Sequence, residues 1–594
     1  MTRRQPFVLP LLIPSCTFTS DTYVETLAIT LLRKYLIRHS CVAFSNLQFH
    51  LRLFIPTVMP TSKVSKTRKA VACRRKGRRK GVSVEEHRGE REPPNSSRTV
   101  TIVELANTAQ PEPFIRITIS ALPDNVLLEI FDFYLDFNQW IRSSTGQRSG
   151  SQYEDLWHTL VHVCRRWRCV ITASPRRLNL HLLCTEKRPV KRNVWPDLPI
   201  VIGAKIPKLR RSRSQGVNII MAALKQQHNR VSQIEIWDIP NSLLKKFAAI
   251  KTPFPALKHL RLLTTGESAP VLPDSFLEGS APHLQSLRLN GIPFRAIGKL
   301  LLSTPHLSGL SLDDIPHFGY ISPDALVSGL SRLTRLRNLI LEFRFPRALR
   351  ERRVPPSPTR IVLPALAYLC FKGDSEYLED MLSRMETPSI VHVRITFFNQ
   401  LVFDTPLLRN LIIRAEMFEA FHRAEISFSS YNVLFALFSK NGQAESEVLE
   451  LGIPCRPSDW QLSSLAQVLG SSIPPLPTLE RLELRGNRHL PQHWQDDIEN
   501  AQWLEILRPF TSVKDLALSG ELVQLVAPVL GEHIGERATE ELPALQNIFI
   551  EGFLPSGSLP WQKDIGQFVT VRQTSGLPVA VHYSDYSVNT VGDT

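Results

Sequence analysis

His158 and His162 stand four residues apart in LWHTLVHVCRRW, a spacing that sets two imidazoles one helical turn apart and supplies half of a zinc site. No third ligand follows nearby, so the pair reads as surface or packing residues and no metal is expected. Asp496 and Asp497 in HWQDDIEN are adjacent carboxylates that read as a solvated helix start. The chain contains no G-x-x-x-x-G-K-[ST] loop, no G-x-G-x-x-G, no H-E-x-x-H and no G-x-S-x-G. The expected chemistry is therefore binding, with no cofactor and no bond made or broken by this chain.

The eight cysteines, at 16, 41, 73, 164, 169, 184, 370 and 455, form no C-x-x-C pair. Cys164 and Cys169 are five apart and point in different directions on a helix. All eight read as reduced thiols in a reducing compartment, cytoplasmic or nuclear. The formal charge of +16 is uneven: residues 1–100 hold nineteen Lys and Arg against six Asp and Glu, so that +3 is left for the rest. Ten of the eighteen residues in 63–80 are Lys or Arg, a block that repels itself and predicts disorder. RRKGRRK at 74–80 fits a nuclear-localisation patch or a weak contact with nucleic acid or acidic lipid.

The apolar window 5–20 is broken by Pro6, Pro10 and Pro14 and is too short to span a membrane. It also resembles a weak signal peptide, and residues 1–58 share the acid-poor character of a transit peptide. The favoured expectation is that 1–58 follow a wrongly chosen start, with Met59 the natural N-terminus.

What must position any binding residues begins at SALPDNVLLEIFDFYL, 120–135. Leu127, Leu128, Ile130, Phe131, Tyr134 and Leu135 follow helical spacing and make an unusually wide apolar face, with Asp124 at the helix start and Pro123 fixing the entry. A polar loop is expected over 136–155. One further helix is predicted through LWHTLVHVCRRWRCVITAS, with Leu156, Leu160, Val163, Cys164, Trp167 and Ile171 on one face. Arg165, Arg166 and Arg168 are expected to the side or outward. Two helices of this size rarely stabilise themselves, and the surplus apolar face hints at a partner.

From 178 the pattern changes. LNLHLLC and LPIVI read as strands, and L-x-x-L-x-L with conservative swaps then recurs. Its copies begin at Val231, Leu257, Leu284, Leu307, Leu336, Leu366, Ile390, Leu408, Leu479, Val513 and Leu545, and a degraded copy lies at Leu449/Leu451. Most follow a proline, as in FPALKHL and TPHLSGL. The first six are 26, 27, 23, 29 and 30 residues apart, and the last three 34 and 32, at the upper end of the leucine-rich-repeat range. SPDALVSGLSRL and SDWQLSSLAQVLG have helical periodicity. The Asn expected eight residues after the first Leu occurs once, at Asn487, with Asp374 its nearest substitute, so irregular coils are expected.

The LPDNVLLEIFDFYL stretch followed by the Val-Cys-x-x-Trp helix resembles the F-box, over roughly 119–180. Together with the array, the chain is similar to F-box/leucine-rich-repeat proteins of the type expanded in mushroom-forming fungi. The fold class expected is an α/β repeat, a short helical F-box-like module followed by an irregular leucine-rich-repeat solenoid. Its layout is a basic extension over 1–112, the module over 113–177, the array over 178–575 and a tail over 576–594. The resemblance implies a substrate-receptor subunit of a cullin–RING ubiquitin ligase. The module would dock on the Skp adaptor, and through it cullin, while the array holds an unidentified protein substrate. It further implies that Leu122, Pro123, Leu127, Leu128, Ile130, Phe131, Leu135, Val163, Cys164 and Trp167 form or support the adaptor interface. The rival reading is a nuclear or nucleic-acid-associated scaffold that uses the basic tail.

Overall fold

The structure is a computed structural model that describes residues 122–144, 157–178, 180–189, 198–206, 210–264, 266, 269–279, 281–346, 360–400, 402–414, 421–441, 444–455, 461–486, 500–532, 542–552 and 559–584. The basic block at 63–80, the start at Met59, Asn487 and the Asp496/Asp497 pair all lie outside the described residues. Of those described, 122–144 with His158–Leu178 form one compact unit, and Trp157 with 180–584 the other.

The smaller unit is helical. α1 spans Asp124–Ser144, α2 Trp157–Val161 and α3 Arg165–Ala173. α1 starts where expected, the carbonyl of Pro123 accepting the N–H groups of Val126 and Leu127 at 3.1 Å each. It continues to Ser144 and occupies much of the stretch expected to be a loop over 136–155, because Phe133, Phe137, Trp140 and Ile141 prolong the helical apolar spacing. The second predicted helix is two. Cys164 is extended (φ −155°, ψ 169°) and its Sγ accepts the Trp167 N–H at 3.4 Å, so a new helix begins at Arg165.

The larger unit alternates strands and helices. Its strands are β1 Leu182–Cys184, β2 Ile200–Lys205, β3 Val231–Trp237, β4 His259–Leu263, β5 Ser286–Asn290, β6 Gly309–Ile315, β7 Asn338–Phe343, β8 Ile361–Val362 and β9 Tyr368–Gly373. They continue as β10 Met385–Glu386, β11 His392–Phe397, β12 Phe421–Phe428, β13 Asn432–Asn441, β14 Ala444–Pro454, β15 Arg481–Gly486, β16 Asp515–Ser519, β17 Asn547–Glu551 and β18 Ala580–Ser584. The helices are α4 Arg210–Gln226, α5 Asn241–Ala248, α6 Ile297–Leu302, α7 Pro323–Leu330, α8 Ser375–Ser383, α9 Pro406–Arg414, α10 Gln461–Ser472, α11 Asn500–Leu507, α12 Gly520–Glu532 and α13 Pro560–Thr574. Among the described residues sixteen strands make one sheet, in chain order from β1 to β7 and then through β9 and β11. All these neighbours are parallel, whereas β8 and β10 pair apart in a sheet of two.

The recurring leucines carry this register. Leu260, Leu287, Leu310, Leu339, Leu369 and Val393 are paired strand to strand, as are Leu262, Leu289, Leu312, Leu341, Phe371 and Ile395. All twelve are buried, and each contributes about 1.5–3 kcal/mol by leaving water. The prolines are explained too. In Phe254-Pro255-Ala256-Leu257, Ala281-Pro282-His283-Leu284 and Thr304-Pro305-His306-Leu307, the first carbonyl accepts the N–H of the fourth residue, a β-turn with Pro where φ near −65° is required. Directly after each first leucine, backbone bonds join one coil to the next: Lys258 N–H to Ser232, Gln285 to Lys258, Ser308 to Gln285, Arg337 to Ser308 and Ala367 to Arg337, all at 2.7–2.9 Å.

Three expectations about the array are corrected. The copy at Leu408/Leu411/Ile413 is helical and forms α9, because both carboxylate oxygens of Glu379 take the N–H groups of Leu407 and Leu408, at 2.8 and 2.9 Å. A meander of β12, β13 and β14 is inserted after it; β12 and β13 are invisible to the repeat pattern, whereas β14 carries the degraded copy, Leu449 and Leu451 pairing with Val393 and Ile395. β14, with Leu449 and Leu451, lies parallel beside β11, β13 runs antiparallel between β14 and β12, and β12 is parallel to β15. The sheet also extends past 575, since β18 pairs with β17 across the stretch expected to be a tail.

Candidate partner-binding surfaces

In the helical unit the apolar anchors face inward. Leu127, Ile130 and Phe131 are fully buried, Leu128 and Trp167 nearly so, and the Phe131 ring meets Trp167 edge-on at 4.7 Å. The wide face expected to be surplus is thus consumed by packing, and these five residues support a surface without being reachable from outside. Pro123 and Cys164 are exposed, and Leu122, Leu135 and Val163 are half-buried.

The two sequence segments carrying those open residues lie some forty positions apart and are joined by Arg166. Its guanidinium donates to the Leu122 carbonyl at 2.5 Å and to Asp124 Oδ1 at 2.7 Å, which ties the first turn of α3 to the entry of α1. Leu122-Pro123 and Val163-Cys164 therefore share one end of the unit. Arg168 donates to the Val161 carbonyl at 3.0 Å and holds the break between α2 and α3, and Arg177 pairs with Glu129. Arg165 and Arg168 are exposed and Arg166 half-exposed, as expected, and Arg166 and Arg168 also clip the unit together. An Asp at one helix start and an Arg just inside another was the available signal, but only the fold makes them neighbours. His162 sits on an exposed turn past α2, while the His158 side chain lies outside what is described.

In the larger unit, buried residues of each helix from α4 to α13 share one core with the strand leucines. The residues between the leucines form rows on the opposite face. One runs in register through Glu235, Arg261, Arg288, Ser311, Ile340, Cys370, Arg394 and Glu450. Near its middle, burial pushes the Cys370 thiol up to about 12, and Glu342, which accepts its S–H at 3.5 Å, adds to the effect. That thiol stays protonated and is no nucleophile. Burial, with Glu447 alongside, pushes the Glu450 carboxyl up to about 7 against the pull of Arg394 at 2.5 Å. Past the meander, Glu483 is ringed by Arg423, Arg481 and Arg485 at 2.7–3.0 Å, and the three guanidiniums hold its carboxyl below the usual range although burial opposes them.

Among the described residues the cysteines are free thiols, no group of three His, Cys, Asp or Glu is placed to hold a metal ion, and no helix is long and apolar enough to cross a membrane. No family model matches this chain, and no curated protein matches it.

Proposed function

We propose that the βα coils of the larger unit are an irregular leucine-rich-repeat array and that the protein is a substrate-receptor subunit of a cullin–RING ubiquitin ligase. The helical unit docks on the Skp adaptor and the sheet face holds the protein to be modified. The observation that carries this reading is the union of Leu122-Pro123 with Val163-Cys164 at one solvent-facing end, with the greasier residues behind them locking its shape. The bonds between Arg166, Leu122 and Asp124 support it by fixing that end rigidly, which lowers the cost of ordering it on a partner. The chain then acts by tethering, raising the local concentration of substrate near a ubiquitin-charged enzyme supplied by the complex.

The test is co-purification of the full chain with the Skp adaptor, with retention compared across two variants. Leu122→Ala/Pro123→Ala and Val163→Asp are each expected to cut retention about tenfold or more with unchanged far-UV circular dichroism. Trp167→Ala is unsuitable as a surface probe, because it opens a cavity costing about 3–5 kcal/mol. Undiminished retention in both variants, or no retention by folded wild-type chain, overturns the reading.

A further inference from the structure

The sheet face presents cations outward in a particular way. Arg261 and Arg288 are register partners on β4 and β5, two like charges side by side, which is destabilising unless each is held apart. Each is held. Arg261 Nη1 binds Glu235 at 3.1 Å while its guanidinium lies 4.3 Å over the Trp237 ring, and Arg288 Nε binds Asp313 Oδ2 at 2.6 Å. The carboxylates are the buried members, 9% and 5% exposed, against 31% and 39% for the arginines. Asp313 is held in turn by the Ser311 hydroxyl at 2.6 Å.

Arg394 repeats the arrangement on β11. It is 47% exposed, and its Nη2 binds Glu450, 14% exposed, at 2.5 Å and reaches Glu447, 39% exposed, at 3.5 Å. Nε of Arg288 is engaged, yet its two Nη amino groups meet no acceptor among the described residues. Between the two cationic places the row is low and uncharged, through Ser311, Ile340 and Cys370. Glu342 and Lys372, two residues further along β7 and β9, face one another and offset.

Resting on the reading of this face as the substrate surface, we propose that it takes an extended acidic protein segment, one carboxylate lying against the Arg261/Arg288 pair and a second against Arg394. Guanidiniums already held in place by neighbouring carboxylates lose little freedom on binding, which suits carboxylate recognition. Four strand steps separate Arg288 from Arg394, about 19 Å at the usual strand spacing, and an extended chain covers that in about six residues. An apolar residue midway rests on Ile340. A nucleic acid fits less well. Its phosphates form an unbroken run, whereas past Arg394 this row meets Glu450 and, across β13, Glu425.

The experiment uses the full chain and fluorescein-labelled ten-residue peptides with two Glu at spacings from four to eight around a central Leu, read by anisotropy. Saturable binding that is strongest near spacing six is expected, with the Gln-for-Glu peptide about tenfold or more weaker. Arg288→Gln alone would strand the buried Asp313, so the discriminating variant is Arg288→Gln/Asp313→Asn, which neutralises both and keeps their shape. It is expected to lose the preference for Glu over Gln with unchanged circular dichroism. The proposal is overturned by equal binding of Glu and Gln peptides, by a preference that survives in the double variant, or by no saturable binding anywhere in the set. It is overturned equally if only a phosphoserine version binds, or if oligouridylate displaces the peptide as well as unlabelled peptide does. Adaptor capture on the same preparation separates the two ideas: capture without peptide selectivity sinks this inference alone, whereas absent capture sinks the ligase reading.

Discussion

Glu450 lies in β14 with Arg394 at 2.5 Å, yet burial and the neighbouring Glu447 raise its carboxyl to about 7 from the ordinary 4.5. A group that binds its proton more tightly when folded stabilises the fold fully below the unfolded value, and that benefit is lost as pH rises from about 4.5 through about 7. At pH 8 the residue is therefore a liability. Glu450→Gln is expected to raise stability at pH 8 by about 1–2 kcal/mol, allowing for partial solvation, and to change it little at pH 4.5. Urea unfolding at the two pH values measures this, and an equal change at both would show that the effect is not titration. A Glu inside VLELGI was plain in the sequence. Its titration was not, because the burial that raises it comes from β11 and β13 packed on either side of β14.

At the scale of elements, the x-Pro-x-Leu turns and the leucine register were legible because local chemistry dictates both. Proline presets one turn angle, and alternate leucines share a face. The errors fell where a distant or weak group decides. Thr405-Pro406-Leu407-Leu408 has the same four-residue form as the turns before the strands, and the Glu379 carboxylate, nearly thirty residues upstream, makes it a helix start instead. The break at Cys164 was hidden because apolar spacing is helical on both sides of it and sulfur is a weak acceptor. The same weakness gives a prediction. A serine oxygen caps an N-terminus better than a thiol, so Cys164→Ser is expected to stabilise the helical unit by about 0.5–1 kcal/mol, read as a higher urea midpoint with unchanged slope. A lower midpoint would mean that Cys164 contributes by packing and that its bond to the Trp167 N–H matters little.

On the scale of the whole sheet, each interior strand has a neighbour on both sides, while among the described residues β1 and β18 each pair on one side only. In a linear array stability is a sum of coil and nearest-neighbour terms, so the ends open with less free energy than the middle. β1 is three residues long, and Ala580, His582 and Tyr583 of β18 are exposed, whereas the leucine rows of β5, β6 and β7 are fully enclosed. Short ends also limit edge-to-edge pairing with another chain. Native-state hydrogen exchange is therefore expected to find the amides of Ala580 and His582, which face β17, exchanging at least about a hundredfold faster than those of Leu287, Leu310 and Leu339. The meander supplies the contrast within the same molecule. β13 is bonded along its length to both β12 and β14, so its amides belong with the slow class although no repeat pattern announces them. Rapid exchange in β13, or protection of β18 equal to that of β6, would mean that the sheet does not behave as a chain of nearest-neighbour coils.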